Sequence, residues 1–185
     1  TSIFINEIHY DNTGADQDEA IEIAGAAGTD LAGWTLVLYN GNNGEEYDTI
    51  SLSGIIDDEG AGFGALNFLP NGSIQNGSPD GIVLANNNSV VQFISYEGSF
   101  VATDGIANGM TSTDIGVSEP NSTPIGMSLQ LTGTGATYAE FTWNAPMTST
   151  PGDLNVGQIV VEPLVIPPFE VDLNADGTAT VLASD

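Results

Sequence analysis

The residues of this chain best equipped for chemistry crowd into one stretch, FINEIHYDNTGADQDE, residues 4–19. It holds the only histidine, His9, followed by Asp11, Asn12, Asp16, Asp18 and Glu19. A serine or threonine nucleophile would need His9 as its base, but no G-x-S-x-G elbow exists for it to serve, and His9 reads as a strand-end residue. Asn12-Thr13-Gly14 places asparagine where an aspartic-protease pair requires aspartate. A glycosidase needs two carboxylates about 5–10 Å apart, which 25 acidic residues permit without specifically signalling. Hard-cation binding fits better, because calcium takes several oxygen ligands from Asp, Asn and backbone carbonyls in glycine-rich loops. Besides the Asp11–Glu19 loop, two clusters qualify. One is Asp57-Asp58-Glu59. The other, Asp172-x-Asn174-x-Asp176-Gly177, matches the first half of an EF-hand loop, although Ala183 stands at the twelfth position and the flanks read as strands. The candidate calcium ligands are therefore Asp11, Asn12, Asp16, Asp18, Glu19, Asp172, Asn174 and Asp176. The alternatives are a solvated loop for the first cluster and a plain hairpin turn for the last.

The charge balance restricts function further. The 185 residues include no lysine and no arginine, for a net charge of −25. Such a surface has no side chain to neutralise phosphates, which argues against direct nucleic-acid binding. Anionic membranes repel it, and no apolar run reaches the roughly 20 residues of a helical span. Phosphoryl transfer would lack its Arg or Lys clamp, and lysine isopeptide cross-links are impossible. With no cysteine, disulfides and thiolate zinc sites are excluded. Acidic composition without lysine predicts a secreted or cell-surface protein in salty, calcium-rich water, with Thr1 as a terminus left by leader cleavage.

The elements that must position these residues read as strands. Helical periodicity is nearly absent, and short alternating runs recur: Ser2–Ile8, Ala20–Ala24, Trp34–Tyr39, Thr49–Leu52, Gly81–Ala85, Val90–Tyr96, Ser128–Leu131 and Tyr138–Trp143. Asn-Gly and Asp-Gly pairs punctuate them as turn signals. Both faces of Trp34–Tyr39 are apolar, which predicts a central strand. Phe141 and Trp143 read as core. Phe100–Pro124, polar and poor in strand signals, reads as a surface insertion. The pattern predicts an all-β chain, an immunoglobulin-like β-sandwich with a C-terminal extended tail or hairpin. Residues 1–157 would form the sandwich, 158–168 a Pro-rich extended connector, and 169–185 a β-hairpin tail or the start of a following repeat.

Several motifs carry a resemblance. Ile5-Asn6-Glu7-Ile8, then Ala20-Ile21-Glu22-Ile23, Asp30-Leu31-Ala32-Gly33-Trp34-Thr35-Leu36 and Thr150-Pro151-Gly152-Asp153-Leu154-Asn155 occur in an order similar to that of lamin-tail domains. Ile8–Asn12, Leu38–Gly41, Ile74–Gly81 and Met110–Gly116 resemble a bacterial subgroup found in large secreted proteins, some of which carry extracellular nuclease domains. The likeness spans about residues 3–157. It implies an immunoglobulin-like sandwich and does not imply catalysis.

The sequence thus predicts a non-enzymatic structural or adhesive module, stabilised by calcium. Its apolar tail would add strands to another copy or a neighbouring domain. The competing expectations are an accessory domain of a larger extracellular nuclease or other hydrolase, and a glycan-binding module using Tyr39 and Tyr96.

Overall fold

The computed structural model describes residues 3–161 and, beyond them, the strand backbones 170–173 and 179–182. Two sheets pack face to face as an immunoglobulin-like β-sandwich. The first has the order β10(Thr142–Thr148), β9(Met127–Gly135), β1(Phe4–His9), β2(Ala20–Ala26), β5(Phe63–Phe68), with β11(Gln158–Val160) running parallel to β9. The second has the order β4(Glu45–Ser51), β3(Trp34–Asn40), β6(Asp80–Asn86), β7(Ser89–Tyr96), β8(Thr113–Asp114), with β8 parallel to β7. Between the sheets lie Ile5, Ile8, Ile21, Ile23, Leu36, Leu38, Ile82, Leu84, Ile94, Leu129 and Leu131.

The opening strand depends on a bulge. β1 pairs Ile5 with Ile23 and then Glu7 with Glu22, leaving Asn6 as the extra residue. Side chains alternate along a regular strand, so Ile5 and Ile8 could not both face the core. The bulge resets the alternation, and both isoleucines are fully buried there. Glu7, in phase opposite to Ile8, faces away from the core.

Each sheet also has its outer face covered by a loop. Val37, Tyr39, Val83, Ala85 and Phe93 form a second apolar cluster with Phe100, Ala102 and Ala107. Phe100 meets Phe93 edge-on, with ring centroids 5.5 Å apart. A Cβ on Gly81 would lie 2.8 Å from both Phe100 Cε1 and the Ile94 carbonyl, so glycine permits this close approach. The expected surface insertion at Phe100–Pro124 is therefore corrected: its first residues are a packed layer over the second sheet, which is why both faces of β3 had to be apolar.

Other expectations shift in their bounds. Tyr138–Glu140 is a 3-10 turn preceding β10, because the Glu140 carboxylate accepts from the Ala136 and Thr137 amides and the Thr137 hydroxyl. The β6–β7 turn is made by Asn87 and Asn88, both at positive φ, where asparagine tolerates the mirror turn that matches strand twist. Gln158–Val160, expected to open the connector, is a strand of the first sheet. Within the stretch read as a terminal hairpin, β12(Glu170–Leu173) and β13(Ala179–Leu182) pair antiparallel.

Candidate functional site

The outer face of the first sheet carries a row of polar side chains across five strands. In register they run Asn144, Gln130, Glu7, Glu22, Asn67. Cross-strand partners share a face, so Glu7 and Glu22 are neighbours, at 5% and 0% exposure. Two carboxylates cannot be buried side by side without donors. The segment 149–158 supplies them. Thr150 donates its amide to Glu7 Oε1 (3.1 Å) and its hydroxyl to Oε2 (2.7 Å). Gly152 donates its amide to Glu22 Oε2 (2.7 Å), while Asn6 Nδ2 reaches Glu22 Oε1 (2.9 Å). Asn155 Nδ2 donates to the carbonyls of Asn6 and Leu131, 3.0 Å each, and Gln158 Nε2 to Asn6 Oδ1 (2.7 Å). Burial, partly offset by the Asn6 donor and reinforced by the Glu7 charge, pushes the Glu22 carboxyl up to about 8.

A second network surrounds His9. Nδ1 donates to Glu119 at 3.0 Å, and Nε2 to the Gln17 carbonyl at 2.9 Å. A carboxylate and a carbonyl both accept, so both ring nitrogens bear protons and the ring is an imidazolium. Burial is the largest influence and pulls its pKa down. The hydrogen bond and charge of Glu119, helped by Gln17 and Asn12, outweigh it and raise the value to about 9. Glu119 Oε2 also accepts from the Tyr10 and Asp11 amides at 2.7 and 3.0 Å, and the Glu119 amide donates to the Tyr10 hydroxyl (2.8 Å). Tyr10 stacks on Tyr96 at 3.9 Å. His9 is, as expected, the last residue of its strand, and Glu119 is a partner that the sequence did not indicate. Nothing in the sequence singled out Glu119, one acid among 25 and 110 residues distant.

The predicted calcium ligands are only partly brought together. Asp11 and Asn12 are buried, Asp16 and Asp18 are exposed, and Glu19 is half-buried. Asn12 organises the loop itself: Oδ1 accepts from the Gln17 amide, and Nδ2 donates to the Thr13 and Ala15 carbonyls. Glu19 accepts from the Ile74 amide. Among the described residues, no group of three or more acidic, histidine or cysteine side chains is gathered so as to hold a metal ion. In the second cluster, Asp58 accepts from the Gly60 and Gly62 amides, and Glu59 from those of Ala65 and Leu154. Asp172 lies on β12, and Asn174 and Asp176 fall outside the described residues. Tyr39 and Tyr96, expected to stack on a glycan, are buried at 0% and 1% exposure. Each alternates with residues facing the opposite side of a strand whose two faces are both covered.

Beside the polar layer a cleft of about 290 Å³ opens at the ends of β1, β2 and β5, bounded by the start of β9 and the 149–151 turn. Glu7, His9 and Asp18 contribute its polar groups, and Leu69, Met127 and Pro151 part of its apolar wall. The chain matches no family model, no curated protein and no solved structure.

Proposed function

We propose that this domain is a non-catalytic structural or adhesive module, of lamin-tail type, in a secreted or cell-surface protein. The observation that carries this reading is the use made of the motif residues. Asn6, Glu7, Glu22, Thr150, Gly152 and Asn155 all enter one hydrogen-bonded layer that fixes 149–158 onto the first sheet. His9, the one available imidazole base, has both ring nitrogens engaged as donors and no lone pair free to take a proton.

Self-assembly through the tail belongs to the same proposal. β12 and β13 pair only with each other among the described residues, and a lone two-stranded hairpin is marginal in water. A neighbour's sheet edge would supply the third strand it lacks. Sedimentation velocity of residues 1–185, compared with a chain ending at Val161 that retains β11, tests this. Concentration-dependent oligomers are expected from the longer chain only. Two monomers would remove strand addition from the proposal.

A further inference from the structure

We propose that the cleft between the β1–β2–β5 ends and the 149–151 turn binds an alkylammonium group, as carried by a lysine side chain of a partner protein or by a free polyamine. This goes beyond the structural reading and does not depend on it. Two carboxylates line the cleft with acceptor capacity to spare. Among the described residues Glu7 accepts only from Thr150, whereas a carboxylate offers about four lone-pair sites. Asp18, exposed and lining the cleft, accepts no hydrogen bond from any described residue. The His9 imidazolium also lines the cleft, but Glu119 lies 3.0 Å from it and balances its charge. An excess of negative charge therefore faces the cavity.

Much of the remaining lining is apolar. Leu69 stands 65% exposed beside Met127, Ala20 and Pro151, a surface suited to a methylene stem whose charged head reaches the carboxylates. The occupant must come from outside, since the chain has no lysine or arginine. The same net charge of −25 steers cations toward the molecule.

General attraction of cations to an acidic protein is the effect to be separated from a site. The probes are Nα-acetyl-lysine methylamide, its norleucine counterpart without the ammonium, and spermidine, titrated into the full chain in 150 mM NaCl. Backbone amide shifts report binding. Asp18 has a φ of 60° and Asn adopts positive φ readily, so Asp18→Asn keeps the fold, and exposed Asp57→Asn, outside the cleft, controls for net charge. Expected are saturable shifts confined to Ala20, Leu69, Met127 and their neighbours, no binding of the norleucine compound, and a Kd raised about fivefold or more by Asp18→Asn but unchanged by Asp57→Asn, as for a charge-assisted bond. The tighter of the lysine compound and spermidine identifies the source of the ammonium. Diffuse shifts, equal effects of the two substitutions, or equal binding of the norleucine compound would overturn the proposal.

Discussion

At the residue scale, stability rests on protons held by the folded state. Glu119→Gln leaves one carbonyl to serve His9 and the Tyr10 and Asp11 amides, and strands a buried imidazolium. Breaking such a pair costs about 3–5 kcal/mol, which at this size is a fall in Tm of roughly 10 °C. Proton NMR of the His9 ring should show a pKa near 9 in the parent chain and a marked fall in the variant. The pH dependence follows with its sign. Folded His9 sits at about 9 against 6.5, so its contribution is complete below 6.5 and is lost as pH rises through 9. Folded Glu22 sits at about 8 against 4.5, so the folded state binds the extra proton and loses stability as pH rises from 4.5 to 8. Burial raises Asp11, Glu19 and Asp80 in the same direction. Melts at fixed ionic strength should therefore show Tm declining steadily from pH 5 to pH 9. A maximum at pH 7 or above would contradict this account.

At the element scale, each sheet needs its covering loop. Asn155→Ala removes the amide that serves the Asn6 and Leu131 carbonyls. Leaving two buried acceptors unmet should cost about 2–4 kcal/mol, seen in urea unfolding as a lower midpoint with an unchanged slope. Phe100→Ala strips the ring that lies over Gly81 and Phe93, at a cost of about 3–5 kcal/mol. Amide exchange should then accelerate in residues 100–112 before it does so in β3 or β6, because the loop is lost ahead of the sheets. If exchange rises uniformly across both sheets, the loop is not a separable layer.

At the scale of the whole molecule, 25 acidic side chains against a single internal side-chain cation, His9, make self-repulsion a standing cost. Added NaCl should raise Tm progressively up to about 0.5 M, as screening shortens the reach of the field. Calcium should add no more than magnesium does at matched ionic strength. The Asn12 side chain already orders the Asp11–Glu19 loop, and its Oδ1 is occupied by the Gln17 amide. A specific increment from calcium, removed by Asp16→Asn, would restore a metal site there.

The sequence by itself determined most of the strands and the sandwich class, because alternation is a local signal read within a few residues; it missed β5, and its Asp80-Gly81 turn signal lies inside β6, whose turn to β7 is Asn87-Asn88 instead. Asn6, Glu7, Glu22 and Thr150–Asn155 stood out in it only as separate motif residues, with nothing to join them. Only the tertiary structure decided that these residues form one buried polar layer, since the register between β1 and β2 and the return of a segment about 145 positions later bring donors to the carboxylates. It alone chose Glu119 for His9, because an ion pair closes through space and leaves no periodicity in the chain. It also converted Phe100–Ala107 from an apparent insertion into a layer of the core. A loop's apolar residues reveal their burial only when the face they cover is known, and here that face is the outward side of β3, β6 and β7.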